Sequence, residues 1–235
     1  MNAAAPSRRP GRPRGAVVDA GLIHEAALEL LRTVGLRGLT MRALAARLGV
    51  SVSALYNHVP SRAAVLATVQ ERFAEELDVS GFGGVSLREA LARWAWSYLH
   101  ALRRRPELVP VIVEVPLAQA PRSSLVYQRV VAGFAAAGWP EESTVASLSV
   151  LETFIFGAAL DSTSPDDAYA PPDAAHSPLL ARSYEAFSRS VEAQDARPRD
   201  LVFSMGLEAI LTGLHSLWGS GRGWARAGEG MRSDV

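Results

Sequence analysis

Apolar positions along this chain recur at steps of three and four, and no long stretch alternates with period two. Leu22, Ile23, Ala26, Ala27, Leu30, Leu31 and Val34 form one apolar stripe and predict a helix from about Val18 to Val34. Gly35 and Gly38 end it. Thr40 is placed as the N-cap of a short helix whose apolar face is Met41, Leu44, Ala45 and Leu48. Gly49 stands where the chain must turn, which suits a residue that reaches positive φ. Ser51 caps a second short helix carrying Val52, Ser53, Ala54, Leu55, Tyr56, Asn57 and His58. Pro60 stops it, and Ser61 caps a fourth helix running toward Leu77 with Ala64, Val65, Val69 and Phe73 inward. Two short helices about a tight glycine turn can lay the second in a DNA major groove.

Beyond a Gly-containing boundary at 78–85, helices are predicted near 86–104, 122–137, 142–161, 179–194 and 199–218. The first carries Leu91, Trp94, Ala95, Tyr98, Leu99 and Leu102 on its apolar side. The Val/Ile-rich piece between Pro106 and Pro116 reads equally as strand or helix on composition. Residues 162–177 lack periodicity and predict a long mobile loop. Its acids and His176 read as solvated charges, so no metal site is expected.

The order Leu-Thr-x-Arg-x-Leu-Ala-x-x-Leu-Gly-Val-Ser, then Leu-Tyr-x-His-Val, resembles the DNA-binding domain of the TetR family of one-component regulators across residues 16–75. The resemblance implies an all-α fold, and with it a helical reading of 106–116. It implies a helix-turn-helix domain at 16–77 and a bundle at 78–222 for effector binding and dimerisation. A basic arm at 1–15 and a tail at 223–235 are expected to be disordered and flexible. By position, Ser51, Tyr56, His58 and Arg62 resemble the family's phosphate-contacting set. Arg42 matches an arginine that reaches a guanine edge in the tetracycline-repressor branch. Val52, Ser53, Ala54 and Asn57 form the variable reading surface: Asn57 suits adenine, and Val52 and Ala54 suit thymine methyls. Tyr56 and the helix starts at Thr40 and Ser61 can donate to phosphate oxygens. Leu44, Leu48, Val50 and Leu55 read as core. In the arm, Arg8 to Gly15 resembles the Gly-Arg-Pro core of AT-hook peptides; Arg12 and Arg14 are expected DNA contacts, and whether the arm enters the minor groove is left open by the sequence.

Charge sharpens this picture. The chain of 235 residues is neutral overall, yet residues 1–62 hold nine Arg against Asp19, Glu25 and Glu29, a net of +6. The remainder is −6, so only the N-terminal part suits a polyanion. Cysteine is absent, which excludes disulfides and thiol chemistry. The start lacks the apolar region of a secretory leader, no apolar run approaches the ~18 residues of a membrane span, and a cytoplasmic protein with no membrane partner is expected. An enzyme is not expected: His24, His58, His100, His176 and His215 are scattered and no nucleophile motif appears. No cofactor is implied.

The segments 142–161 and 199–218 are apolar nearly all round, through Val145, Leu148, Leu151, Phe154, Ile155 and Leu160 in one and Leu207, Ile210, Leu211, Leu214, Leu217 and Trp218 in the other. Such helices must be buried on every side, which either a monomer core or pairing with a second copy achieves, and two-headed reading of DNA favours the pair. Leu148, Leu151, Ile155, Leu207, Ile210 and Leu214 are therefore the expected homodimer interface, with Gly206 and Gly213 permitting close approach. The aromatics Trp94, Trp96, Tyr98, Tyr127, Phe134, Trp139, Phe154 and Phe156 suit a pocket for an apolar or aromatic small molecule. His100, Glu114, Gln128 and Glu152 are polar groups placed to orient it. Trp94, Tyr98, His100, Tyr127, Gln128, Glu152 and Phe156 form the expected effector site. The implied function is a homodimeric repressor released from a palindromic double-stranded operator by this effector. The alternative is an activator or an effector-independent binder of the same fold.

Overall fold

The computed structural model describes residues 18–219. Among these, ten α-helices and two short 3-10 turns occur, and no strand. They run α1 Ala20–Gly38, α2 Met41–Leu48, α3 Val52–Tyr56, α4 Arg62–Ala74, α5 Leu87–Arg104, α6 Val109–Glu114, α7 Pro121–Ala136, α8 Glu141–Asp161, α9 Pro178–Ala193 and α10 Pro198–Gly219. The ambiguous piece after Pro106 is thus helical, a 3-10 turn leading into α6. The expected arm with Arg12 and Arg14 and the tail at 223–235 lie outside the described residues.

The chain divides into two compact units, with the boundary between Leu66 and Ala67 inside α4 rather than at the glycines of 78–85. The reason is packing. Beyond Leu66, Val69, Phe73 and Ala74 are buried, and the Phe73 ring lies 5.3 Å from that of Tyr98 on α5. The C-terminal half of α4 therefore shares the core of the second unit.

In the first unit, α1 begins at Asp19, whose carboxylate accepts from the Leu22 amide at 2.8 Å. It breaks regular geometry at Gly35, where φ is 69°. Its buried face is Ile23, His24, Ala26, Ala27 and Leu31. Leu22 and Val34, expected in the stripe, are exposed at its margins.

In the second unit α5 is central, with Leu91, Trp94, Ala95, Tyr98, Leu99 and Leu102 all buried as the periodicity predicts. α8 packs on α5, α7 and α10. The buried side of α8 is Leu148, Leu151, Ile155 and Ala159, and that of α10 is Phe203, Leu207 and Leu211. This corrects the expected dimer interface. Leu148, Leu151, Ile155 and Leu207 belong to the core of a single subunit; only Ile210 and Leu214 are half-exposed. The outer face is instead Val145, Val150, Leu160, Val202, Met205 and Leu217, with Val145 at 68% and Met205 at 65% exposure. A helix apolar all round serves two interfaces, and composition alone does not assign which residue faces which. Gly206 likewise admits the Phe154 ring of its own subunit: an added Cβ would lie 2.6 Å from it. Gly213 is open.

α8 is also long and apolar enough to cross a membrane by length and composition, contrary to the sequence expectation. Its buried Thr144 and Ser147 and the half-buried Glu152 are those of a helix packed in a protein core. Residues 162–177 form the expected loop, but it is tethered. Arg199 donates to the Pro165 carbonyl at 2.9 Å, to Asp161 Oδ2 at 2.7 Å and to Asp166 Oδ1 at 3.1 Å, and also bonds the Ser164 carbonyl.

Candidate nucleic-acid interface

The reading surface is built by local capping on a small core. Thr40 Oγ1 accepts from the Ala43 amide at 3.1 Å and starts α2. Gly49, at φ 68°, closes α2; the Val50 amide then reaches back to the Ala45 carbonyl at 3.0 Å. Ser51 Oγ accepts from the Ala54 amide at 3.1 Å and starts α3. Ser61 Oγ does the same for the Ala64 amide. α3 spans only 5 residues, so it holds its place by tertiary packing rather than by propensity. Leu55 supplies this packing: it is fully buried together with Leu39, Leu44 and Ala45. Leu48 and Val50 are only half-buried.

Burying Leu55 turns the rest of α3 outward. Ser51, Ser53, Tyr56, Asn57 and His58 are exposed, and Val52 and Ala54 are half-exposed. Tyr56, a large ring at 50% exposure, stands beside Asn57 and His58 in the turn that follows. Arg42 and Thr40 are exposed at the start of α2. Nine of the predicted DNA-facing residues in this unit therefore share its outer surface.

Arg62 is the exception. Its Nε donates to the Leu39 carbonyl and its Nη2 to the Leu36 carbonyl, each at 2.8 Å. The guanidinium is turned onto the carbonyls that α1 leaves unpaired beyond Gly35 and does not project outward as the expected phosphate contact would. Arg47 is similarly engaged: its Nε donates to Glu29 Oε2 at 2.8 Å, joining α2 to α1. Sequence reasoning missed both roles, because partners 18 to 26 residues apart leave no local signal.

In the second unit, the structure brings together five of the seven predicted effector residues. Tyr98 Oη lies 3.4 Å from Tyr127 Oη and 3.3 Å from Glu152 Oε1, and Tyr127 Oη also bonds that oxygen. The Tyr98 ring is 5.3 Å from Trp94 and 5.8 Å from Phe156, both edge-on. Burial pushes the Glu152 carboxyl above its ordinary range, against the lowering effect of the Tyr127 and Tyr98 hydrogen bonds. Burial and the neighbouring Tyr127 and Glu152 raise Tyr98 further still. His100 and Gln128 are exposed, and His100 lies tilted against Trp96 instead, so neither joins this cluster. Helix period explains the error: His100 lies two residues beyond Tyr98, on another face of α5.

The space beside this cluster is small. Tyr98 and Tyr127, with Gln70, Phe73, Ala74, Leu77, Ile112 and Ser123, line a cavity of about 10 Å³. A larger cleft of about 360 Å³ lies among Phe154, Tyr169, Phe187, Val202 and Phe203 and contains none of the predicted effector residues.

Residues 23–69 match the model of bacterial regulatory proteins of the tetR family, and residues 83–217 match that of the tetracyclin repressor-like C-terminal domain. The chain belongs to the TetR family of DNA-binding transcriptional regulators. It is 31% identical over 210 residues to the tetracycline repressor protein class A from transposon 1721 of Escherichia coli, covering 82% of this chain and 88% of that one. It is 28% identical over 153 residues to the HTH-type transcriptional repressor DrrR1 of Streptomyces coeruleorubidus. That match covers 65% of this chain and spans 56% of the length of DrrR1. Among solved structures, apo ActR of Streptomyces coelicolor superposes with a TM-score of 0.67 at 23% identity. The superposition covers 87% of this chain and 98% of ActR, and the likeness is one of fold.

Proposed function

We propose that the protein is a homodimeric, cytoplasmic repressor that reads a palindromic operator through α2 and α3 and leaves it when a small molecule enters the second unit. The observation that carries this reading is the division of labour in α3. Leu55 alone is fully buried, while Tyr56, Asn57 and His58 are presented to solvent beside Arg42. That is the arrangement a groove-reading helix needs. Phosphate contacts from Ser51, Tyr56 and His58 supply position and affinity, and Arg42, Val52, Ser53, Ala54 and Asn57 supply base discrimination.

Dimerisation is supported by the outer apolar face of α8 and α10, with Val145, Val150, Leu160, Val202, Met205 and Leu217 exposed in one subunit. A two-fold pairing of this face yields two heads for two half-sites. The effector reading is supported by the cluster of Trp94, Tyr98, Tyr127, Glu152 and Phe156. α4 begins in the DNA-reading unit and ends against that cluster, so a ligand that favours one arrangement of α4 changes DNA affinity. ActR has been crystallised with actinorhodin, which shows a small molecule held by that relative of the fold.

The test is a fluorescence-anisotropy titration of labelled duplex over a range of salt, with sedimentation of the free protein. The reading expects a dimeric mass and a steep fall of affinity with salt. A monomer whose weak DNA binding is independent of salt would refute it.

A further inference from the structure

We propose that the effector carries a protonated amine, recognised by Glu152 and by the Gln70 carbonyl within the aromatic cluster around Tyr98. This deepens the effector-pocket reading above and rests on it.

Glu152 is a carboxylate without a cation. Its two hydrogen bonds come from the Tyr98 and Tyr127 hydroxyls, and both converge on Oε1. Oε2 has no protein partner among the described residues. No arginine is paired with Glu152 among the described residues, and several of the same unit are committed elsewhere: Arg88 to Glu208, Arg93 to Glu89, Arg103 to Asp200, Arg104 and Arg105 to Glu76, Arg199 to Asp161. The chain has no lysine to substitute for them. An ionised carboxylate drawn into a protein is stable only when paired, and here hydroxyl donors alone do the pairing.

A second atom makes the same demand. Gln70, on α4, is 4% exposed, and its Oε1 accepts no hydrogen bond. It lines the 10 Å³ cavity together with Tyr98 and Tyr127, the two residues that hold Glu152. Glu152 stands behind the two tyrosines that line this cavity, so an enclosed acceptor without a donor borders a carboxylate without a cation, and a ligand that donates and carries positive charge suits both. Phe73, Trp94 and Phe156 surround Tyr98 with ring separations of 5.3 to 5.8 Å, and aromatic faces attract an ammonium further. A neutral hydroxyl would satisfy one acceptor, but would leave the carboxylate charge uncompensated.

The cavity has room for one head group of about a water's size. A ligand body behind that head needs more room than this cavity has, and Gln70, Phe73 and Ala74 of α4 form one of its walls. The same helix is held at its C-terminal end by Arg122 of α7. Arg122 donates to Glu71 through its amide at 3.1 Å and to Glu75 at 3.2 Å. Occupying the site and moving α4 are therefore one event.

The test is calorimetric titration of the full-length protein with 1-naphthylmethylammonium and with 1-naphthylmethanol, which match in shape and differ in charge. The ammonium is expected to bind at least about tenfold more tightly. Glu152→Gln should abolish this preference and leave the alcohol within about twofold. Glu152→Asp, which keeps the charge, should retain the preference, and a circular dichroism spectrum confirms that each variant is folded. Equal affinity for the two probes, binding of neither, or a preference untouched by Glu152→Gln would overturn the assignment. Release of a bound duplex separates it from the effector reading. An ammonium that binds through Glu152 without releasing DNA sinks the effector reading and leaves the ligand assignment standing. An alcohol that binds equally well and releases DNA does the reverse.

Discussion

Arg62 offers the sharpest test of how the reading head is held. Its guanidinium donates to the Leu36 and Leu39 carbonyls at 2.8 Å each, where α1 gives way to α2. A hydrogen bond from a charged donor contributes roughly 1.5–3 kcal/mol, and both carbonyls regain some water when it is lost. Arg62→Ala should therefore cost the head about 2–3 kcal/mol of local stability. Arg62→Lys offers a single ammonium in place of a planar fork and should cost about 1–2 kcal/mol. Hydrogen–deuterium exchange of the amides of α1 to α3 reads this directly. Protection in Arg62→Ala should fall about 30-fold or more, since 1.4 kcal/mol is a factor of ten. A phosphate-contacting arginine behaves differently: its removal lowers the salt slope of DNA binding by about one and leaves protection unchanged. That second pattern would refute the inward role.

Arg42→Ala should relax discrimination at one base pair by about 1–3 kcal/mol, whereas Tyr56→Phe should weaken binding by a similar factor on every sequence; competition titrations on mismatched duplexes separate the two. Met205→Arg, on the exposed face of α10, should yield a folded monomer by sedimentation, while Leu151→Ala, buried in one subunit, should cost about 2–5 kcal/mol in urea denaturation at unchanged association. Glu152 has a folded-state pKa above its unfolded value, so the folded protein holds the proton more tightly. Its contribution is present in full below the unfolded pKa and is lost as pH rises through the folded one. The stability of wild type relative to Glu152→Gln should accordingly decline from acid toward neutral pH. A difference constant across that range in urea denaturation would contradict the burial argument.

The reading head was legible because its instructions are local. Thr40, Gly49, Ser51 and Ser61 each act within a turn or two of their own position, so the sequence shows both the residue and its job. Arg62 was placed by analogy with a surface role. Its carbonyl partners are brought to it by tertiary folding, which spacing does not reveal. In the second unit, α5 was plain from its periodic burial. α8 and α10 were not, since a helix apolar on all sides shows that it is buried but not by what. Half of its apolar residues turned out to be core, and the outer half had to be found from exposure. The effector cluster came through in part, because Tyr98, Tyr127 and Glu152 sit on three different helices and only packing brings their oxygens together. Gln70, far from Glu152 in sequence and on an otherwise ordinary helix, gave no signal at all.

The central claim is that α2 and α3, presented twice by a symmetric dimer, read a defined DNA sequence. Selection of bound duplexes from a random library, using the full-length protein, tests it most directly. The account predicts a palindromic site whose half-sites lie about one helical turn apart. Substituting Arg42 or Asn57 should alter its preferred bases. An asymmetric single half-site would contradict the dimer, and no enriched sequence would contradict the reading head itself.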